Sequence, residues 1–170
     1  MTGTFDKTLL DNEICEKIKN IYEEKLVKSY VHNLRKQMVF HERELSSWLF
    51  QHIKKFIKDN LGNDYHLIER VTVLKYNKGD FFKVHLDGPH NTTLNPSLPH
   101  HFYGGVEISN ENDFTGGEFI IDDNPVPFVK GRLFTHGFET LHGVNEVVNG
   151  IRWSLHFPIH HSKNFQTHLL

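Results

Sequence analysis

From Tyr65 onward the sequence is a series of short β-type runs with no helical segment between them, and this feature constrains the fold most strongly. The runs are rich in β-branched and aromatic residues, and Gly, Pro, Asn or Asp separate them: VTVLKY, FFKVHL, YGGVEI, GGEFII, PFV, RLFTH and IRWSLHF. Strands at this spacing, without alternating helices, are typical of a sandwich or barrel. The sequence therefore predicts an all-β core over residues 65–160.

Residues 1–62 are predicted to form a helical layer that packs on this core. The first predicted helix carries an apolar stripe at helical spacing, formed by Leu10, Ile14, Ile18 and Ile21. Thr8 and Asp11 are a candidate capping box before it. The second predicted helix has one apolar side, formed by Leu45, Trp48, Leu49, Ile53, Phe56 and Ile57. Gly62 is its predicted C-terminal cap, and all 170 residues are expected to form one domain.

Composition narrows the classes of partner and metal site. The formal net charge is −2, and no basic groove with interleaved aromatic residues is evident, so a nucleic-acid partner is not expected. The single cysteine, Cys15, is read as a small buried side chain, so any metal must be held by histidine and carboxylate. Without a signal-like or membrane-spanning apolar run, we expect a cytoplasmic protein with no membrane partner. The sequence does not indicate an oligomeric state.

His85 and Asp87 form the first candidate site, in the stretch KVHLDG. Residues i and i+2 of a strand point to the same face, so both side chains are expected together while Leu86 points into the packing. An imidazole nitrogen and a carboxylate oxygen placed in this way can bind one metal ion. Such a pair is common by chance, so a metal site needs a third ligand from another part of the chain.

The C-terminal run LHGVNEVVNGIRWSLHF offers a third ligand, His142, and a basic residue, Arg152, ten residues after it. Arg152 and Ser154 share one face of a predicted strand, and apolar residues share the other face. A buried Arg needs an anionic partner, because an unpaired buried charge is costly. That anion is either a bound ligand or an internal acid such as Glu107 or Glu118.

The turn at Asn149 and Gly150 decides whether His142 and Arg152 can face the same cavity. A two-residue hairpin there would place Arg152 opposite Val147 and would put His142 on the other face of the sheet. We therefore expect either an odd-length loop or a corner between two sheets.

Four motifs, taken in order along the chain, resemble the Fe(II)/2-oxoglutarate-dependent dioxygenases, particularly their prolyl 4-hydroxylase-like branch. They are YNKGDFFKVHLDG with the H-x-D pair, the Gly-Gly strand FTGGEFII, the strand VPFVKGRLFTH before the distal histidine, and HGVNEVVNGIRWSL. The likeness covers residues 71–158, about half of the chain. It implies a double-stranded β-helix, a jelly-roll or cupin-like sandwich preceded by N-terminal helices.

The resemblance implies a hydroxylase that uses Fe(II), 2-oxoglutarate as cosubstrate and O2, with ascorbate as a reductant. The implied iron ligands are His85, Asp87 and His142, which leave three positions on the iron open. Arg152 would pair with the distal carboxylate of 2-oxoglutarate, and Ser154 and Tyr76 would contact the same cosubstrate. The branch favours a prolyl residue of a peptide or protein as substrate, and the alternative is a free amino acid or another small molecule.

Two interpretations from other classes stay open, a non-catalytic cupin-type metal-binding or sensing module and a zinc hydrolase. Arg152 counts against the first, because a metal-holding module needs no internal anion clamp. Among the other histidines, His136 is the main rival as third ligand and His156 is expected to line the cavity. The histidines expected on a surface tail are His160, His161 and His168. The polar segment 88–101, which contains His90, His100 and His101, is a candidate substrate lid.

Overall fold

The computed structural model describes residues 3–31, 33–67, 70–87, 101–137 and 139–162, with side chains for all of these except 3–6 and 101. The helices are α1 (Asn12–Tyr22) and α2 (Trp48–Leu61), and single 3-10 turns cover Glu23–Lys25 and Glu111–Asp113. The strands are β1 (Gly3–Thr8), β2 (Val27–Val31), β3 (Arg35–Glu42), β4 (Tyr65–Leu67), β5 (Val71–Tyr76), β6 (Phe81–His85), β7 (His101–Glu107), β8 (Phe114–Gly116), β9 (Phe119–Ile121), β10 (Asn124–Pro125), β11 (Arg132–Gly137), β12 (His142–Val144), β13 (Val147–Gly150) and β14 (Arg152–His161).

Twelve of the described strands form one curled antiparallel sheet. Its strands run in the order β1-β11-β7-β14-β5-β3-β6-β12-β9-β10, with β2 paired to β3 and β4 paired to β14. The order departs widely from the order along the chain, as in a jelly roll, where strands close in space are far apart in sequence. The remaining two strands, β8 and β13, form a small second sheet.

The hydrophobic core lies between the two helices and the outer face of the large sheet. The buried core residues of α1, α2, β5 and β14 are Cys15, Ile18, Tyr22, Leu49, Phe50, Ile53, Ile57, Val71, Val73, Trp153, Leu155, Phe157 and Ile159. On β14, the apolar side chains at alternate positions point to this core, so Arg152, Ser154 and His156 point to the other face. The helical layer thereby leaves the inner face of the sheet available for a cavity. None of the described helices has the length and apolar character needed to span a membrane.

The prediction of a purely helical layer over residues 1–62 is wrong in part. Both helices are present, but β1, β2 and β3 also lie in this region and join the large sheet. Thr8 ends β1 and caps nothing; Asp11 is itself the N-cap of α1, and its carboxylate accepts the Ile14 N–H at 2.8 Å. Leu45 lies before α2 and is largely exposed, whereas Gly62 caps α2 as predicted.

Most strands predicted after Tyr65 are confirmed, because the runs rich in β-branched and aromatic residues favour strands. The run VTVLKY coincides with β5, and RLFTH coincides with most of β11. The run PFV is wrong: residues 127–129 form no strand, and the neighbouring β10 covers Asn124–Pro125 instead. This segment contains two prolines, which lack the N–H that a ladder needs.

Asn149 and Gly150 form the corner between the two sheets that the sequence allowed as one of two options. They end β13, which pairs with β8, and β14 then enters the large sheet between β5 and β7. Gly150 has a φ of +78°, and a Cβ atom there would lie 2.0 Å from the Asp113 carbonyl oxygen. The corner therefore requires glycine, and it turns Arg152 toward the same cavity as His142.

Candidate metal and anion site

His85, Asp87 and His142 meet at one end of the cavity. His85 ends β6 and His142 begins β12, and the two residues lie directly opposite each other in the antiparallel ladder. Asp87 lies between them, with Oδ1 at 3.3 Å from His85 Nε2 and Oδ2 at 3.4 Å from His142 Nε2. One potential ligand atom from each residue lies within 4.8 Å of the other two. The three predicted metal ligands are therefore brought together.

The ring nitrogens of both histidines are oriented by backbone carbonyl groups. His85 Nδ1 lies 2.8 Å from the Lys83 carbonyl oxygen, and His142 Nδ1 lies 2.9 Å from the Thr140 carbonyl oxygen. A carbonyl oxygen only accepts, so each Nδ1 carries a proton, and Nε2 is the nitrogen of each ring that can bind either a proton or a metal ion. Two ring nitrogens and a carboxylate that face one another attract a cation between them. The donor set therefore fits a divalent metal ion.

The protonation states of the site favour the same interpretation. Burial alone would raise the pKa of Asp87, but the hydrogen bond from His85 and the nearby His156 and His142 rings bring this pKa down to about 2. Burial lowers the pKa of His142, and the Asp87 charge only partly opposes that shift. At neutral pH the set therefore consists of an ionised carboxylate and a neutral His142 imidazole, the forms that bind a metal ion.

His142 also belongs to a second group of nitrogen donors, with His136 and His156. His136 Nε2 lies 3.3 Å from His156 Nε2, and the His136 and His142 ring centroids are 4.2 Å apart. Burial lowers the pKa of His136 to about 2 and that of His156 to about 4, so both rings are neutral. The carboxylate belongs to the first group alone, and a site of two histidines and one carboxylate matches the predicted triad.

A cavity of about 330 Å³ extends from this site along the inner face of the sheet. It is lined by all six residues singled out in the sequence, namely Tyr76, His85, Asp87, His142, Arg152 and Ser154. The expectation that His156 lines this space is also confirmed. Its volume is in the range of small-molecule sites, which are roughly 300–1,000 Å³.

Arg152 lies at the base of the cavity and has a partner from the protein itself. Its Nε and Nη2 atoms each lie 2.8 Å from Glu107 Oε2, and the two side chains are almost fully buried. Burial raises the pKa of Glu107, and the Arg152 guanidinium opposes that shift. Of the two internal acids considered in the sequence, Glu107 is therefore the one that pairs with Arg152. The Nη1 atom of Arg152 is buried and has no hydrogen-bond partner among the described residues.

Tyr76 and Ser154 flank Arg152. Tyr76 lies opposite Arg152 in the β5–β14 ladder, with the guanidinium carbon 5.3 Å from the ring centroid, and burial raises the pKa of the phenol. Ser154 follows on the same face of β14 and is buried beside the cavity. Both residues therefore line the same cavity as Arg152.

The remaining histidines divide into two sets. His160 is not part of a surface tail, as the sequence suggested, but is a buried residue of β14, and His161 ends that strand with its ring 4.6 Å from the Tyr65 ring. The strand simply runs further than its apolar pattern indicated. His168 and the candidate lid with His90 and His100 lie outside the described residues, apart from the backbone of His101 in β7.

Arg35 and Gln37 are two cavity residues that the sequence analysis did not single out. They lie on β3, in the stretch between the two predicted helices, to which no strand was assigned. The sequence of this strand, RKQMVFHE, shows no regular alternation of polar and apolar residues, so the pairing of β3 with β5 and β6 sets which side chains point inward.

No protein-family model matches the sequence. No curated protein matches it closely enough to be a relative. Solved structures do match over most of their length. The viral collagen prolyl hydroxylase of Paramecium bursaria Chlorella virus-1, solved as a 2OG complex, has a TM-score of 0.71 and 18% identity over 93% of this chain and 94% of its own. A prolyl-4-hydroxylase of Pseudomonas putida has a TM-score of 0.68 and 14% identity over 94% and 92%.

A third neighbour is the non-heme α-ketoglutarate-dependent epimerase SnoN of nogalamycin biosynthesis. Its TM-score is 0.65, with 12% identity over 91% of this chain and 76% of its own. The epimerase shares the fold of the two prolyl hydroxylases and differs from them in reaction, so the likeness alone does not fix the substrate. The chain therefore has the double-stranded β-helix fold of the 2-oxoglutarate-dependent oxygenases, as the sequence motifs implied.

Proposed function

We propose that this protein is an Fe(II)- and 2-oxoglutarate-dependent dioxygenase that hydroxylates a substrate C–H bond. The observation that carries the proposal is the placement of a two-histidine, one-carboxylate set and a buried arginine in one cavity. The pair with Glu107 leaves Arg152 Nη1 buried without a partner among the described residues, and a module that only holds a metal ion has no need for this spare donor. A zinc hydrolase with the same three ligands would not need the Arg152 guanidinium either, because it binds no cosubstrate with a distal carboxylate.

In this proposal His85, Asp87 and His142 hold the metal through Nε2, a carboxylate oxygen and Nε2. Bound Fe(II) together with 2-oxoglutarate supplies the oxidising chemistry that activates O2 toward a C–H bond. The overall reaction consumes 2-oxoglutarate and O2, and it releases succinate, CO2 and the hydroxylated product. The chain's own contribution is to keep Asp87 ionised, to fix both rings through the Lys83 and Thr140 carbonyl groups, and to shield the site from water.

Arg152 is proposed to bind the distal carboxylate of 2-oxoglutarate through Nη1. Glu107 occupies the Nε and Nη2 edge and holds the guanidinium plane in one orientation, so Nη1 is the nitrogen left for a ligand. The Tyr76 and Ser154 hydroxyl groups would add hydrogen bonds to the same carboxylate. This arrangement gives the cosubstrate one charged contact and two neutral contacts.

For the substrate we propose a prolyl residue of a peptide or protein, in keeping with the prolyl 4-hydroxylase-like motifs. A free amino acid or another small molecule is the second candidate, and the cavity volume of about 330 Å³ favours a small group at the reacting carbon. Ascorbate as reductant and a cytoplasmic location stay predictions.

An anaerobic titration tests this function. Fe(II) is added to the protein with and without 2-oxoglutarate, and the visible absorption spectrum is recorded. We expect a weak metal-to-ligand band that needs both components, because only a cosubstrate that chelates the iron produces it. A spectrum that does not respond to 2-oxoglutarate would support the metal-binding module or the zinc hydrolase instead. Turnover of 2-oxoglutarate in air, screened with proline-rich peptides and free amino acids, then addresses the substrate.

A further inference from the structure

Strand β3 carries a polar stripe into the cavity that the proposed chemistry does not use. Arg35, Gln37 and His41 occupy alternate positions of β3 and all line the cavity. The Gln37 side chain is only 3% exposed, and its Oε1 atom has no hydrogen-bond partner among the described residues. The same holds for the buried Arg35 Nε atom. Buried polar groups are nearly always paired, so an unpaired Gln and Arg on one strand face point to an absent ligand.

The charges around this stripe define what that ligand must be. Arg35 and Arg70 both line the cavity. In the salt bridges described there, Asp87 pairs with His85 and His142, and Glu107 pairs with Arg152. When the divalent metal ion, Arg152 and the proposed 2-oxoglutarate dianion are counted with Asp87 and Glu107, Arg35 and Arg70 leave a net charge of about +1 in the cavity. That excess favours an anion on the β3 side of the cavity.

The pKa of His41 reflects the positive charge of the same arginine side chains. Partial burial and, to a smaller extent, the nearby Arg70, Arg43 and Arg35 side chains together lower its pKa to about 4. Its Nδ1 atom lies 3.0 Å from Thr72 Oγ1, so a neutral ring is already satisfied at this edge. His41 therefore adds no positive charge to the stripe, and Arg35 with Gln37 is the part available for binding.

The stripe is separate from the proposed cosubstrate site but close to the metal donors. The Arg35 guanidinium lies 5.6 Å from the centroid of the Phe82 ring, and that ring stacks on His85 with centroids 4.0 Å apart. Arg152 belongs to β14 at the base of the cavity, whereas Arg35 begins β3, where that strand pairs with β6. An anion held by Arg35 would thus lie about one aromatic ring away from the metal ligand His85.

We propose that Arg35 and Gln37 form a second subsite, in which Arg35 binds a carboxylate of the primary substrate and Gln37 Oε1 accepts an N–H of that substrate. This inference rests on the proposed function and names its substrate class, a small amino or imino acid or the C-terminal residue of a peptide. The unpaired Arg35 Nε–H is a donor and matches a carboxylate oxygen, whereas the unpaired Gln37 Oε1 is an acceptor and matches an N–H group close to that carboxylate. The carboxylate on Arg35 orients the substrate so that a carbon near Phe82 faces the metal.

The test compares carboxylic acids with their amides in the same assay. The intact protein with Fe(II) and 2-oxoglutarate is incubated in air with the free L-amino acids, proline included, and with their carboxamides. Gly-Pro and glycyl-prolinamide are the matching pair for a peptide C-terminus. We expect at least one acid to stimulate 2-oxoglutarate turnover at least tenfold more than its amide. A preferred free amino acid would identify that substrate class, and a preference for Gly-Pro would identify a peptide C-terminus. Equal stimulation by acid and amide, or stimulation by neither, would overturn the carboxylate subsite.

Variants of β3 test the subsite by the KM of the substrate and, for Gln37, by the thermal midpoint, which does not depend on turnover. Arg35→Gln should raise the apparent KM of the best acid by about tenfold or more, because it removes a charge-assisted hydrogen bond. Gln37→Met should also raise this KM, yet it should raise the thermal midpoint of the substrate-free protein, since an unsatisfied buried amide is replaced by an apolar group of similar size. A purely structural Gln37 would give the opposite, a lower midpoint with an unchanged KM.

Lys28→Gln is the matched control for charge. Lys28 is exposed on β2 and pairs with Met38, so it lies on the face of the hairpin that points away from the cavity. Its loss should leave the KM unchanged, and an effect equal to that of Arg35→Gln would contradict a local subsite. Substrate-free 2-oxoglutarate turnover, measured in every variant, separates the two proposals: if it is present while no acid is preferred, the subsite is wrong and the oxygenase is not.

Discussion

At the scale of single residues, the hydrogen bond at one ring nitrogen of each histidine decides which nitrogen can bind the metal ion. Because Lys83 and Thr140 carbonyl groups hold the Nδ1 protons of His85 and His142, only the Nε2 atoms can bind. We expect His85→Ala, Asp87→Ala and His142→Ala each to abolish 2-oxoglutarate turnover and the anaerobic absorption band. The fold should persist in all three, because the hydrophobic core lies on the other face of the sheet. Circular dichroism checks the fold, and the titration checks the metal.

His136→Ala is the informative comparison for the third ligand. His136 lies beside His142 and shares a nitrogen group with it, but it is not part of the group that contains Asp87. We expect this variant to retain iron binding. If it lost the absorption band while His142→Ala kept it, the third ligand would be His136.

The sequence identified all six residues at the proposed chemistry, because motif order and spacing carry that information. It left the partner of Arg152 open, since Glu107 and Glu118 look alike in a sequence and only the strand order brings one of them beside the guanidinium. It missed Arg35 and Gln37 altogether. Their inward orientation depends on β3 being a strand, and lysine, glutamine and methionine near its start favour a helix locally.

At the scale of elements, Arg152 and Glu107 join β14 to β7 inside the sheet. Arg152→Ala should raise the apparent 2-oxoglutarate requirement strongly and leave Fe(II) affinity without cosubstrate nearly unchanged. It should also cost roughly 3–5 kcal/mol of unfolding free energy, because Glu107 is left buried and unpaired. That cost should grow as the pH rises, since burial already raises the pKa of Glu107 and its ionisation then opposes folding. Urea unfolding at several pH values measures both effects.

The double variant Arg152→Met with Glu107→Leu separates structure from cosubstrate binding. Replacing both members of a buried pair by apolar side chains is often neutral for stability. We expect the unfolding free energy to recover while the 2-oxoglutarate requirement stays high. Recovery of both would mean that Arg152 has no direct role in binding the cosubstrate.

The corner at Gly150 makes a prediction about the link between the two sheets. Gly150→Ala places a Cβ 2.0 Å from the Asp113 carbonyl oxygen, which also accepts the Ile151 N–H. We expect a loss of several kcal/mol, on the order of the strain plus a backbone shift, together with weaker 2-oxoglutarate binding because Arg152 follows directly. Gly62→Ala is the control, since its φ is also positive but nothing lies within 4 Å of the added Cβ. That control should cost about 1 kcal/mol and leave binding unchanged.

Element by element, the sequence was most informative where one face of a strand is buried. The run that became β5 begins with three β-branched residues in a row, and its bounds agree with the prediction. Strands β2 and β3 were missed because their hairpin is half-exposed and lies between two amphipathic helices. Residues 35–42 form a strand because β3 pairs with β5 and β6, and the local sequence does not show this pairing. For Asn149 and Gly150, the number of residues between His142 and Arg152 left two options, an odd-length loop or a corner between two sheets. The pairing of β13 with β8 in a separate sheet makes it a corner.

At the scale of the whole molecule, Cys15 offers a probe of global opening. It is fully buried between α1 and the sheet, and burial raises its pKa to about 11, so its thiol is protonated and shielded in the native state. We expect a thiol reagent to modify Cys15 only as fast as the protein unfolds. Fe(II) with 2-oxoglutarate should slow the modification in the native protein and not in Asp87→Ala, because a ligand that binds only the folded state stabilises it. Rapid modification of the native protein would contradict this packing.

The register of β6 and β12 also has a consequence for protein engineering. Two of the three proposed metal donors are cross-strand neighbours, so the ladder sets their spacing, whereas loops set it in many other sites. A designer who wished to transfer this site would need one antiparallel strand pair, a histidine on each strand at opposed positions, and an aspartate two residues beyond one of them. What would be transferred is the pairing register of these two strands. The rest of the fold excludes water from the site and supplies the residues that bind the anions.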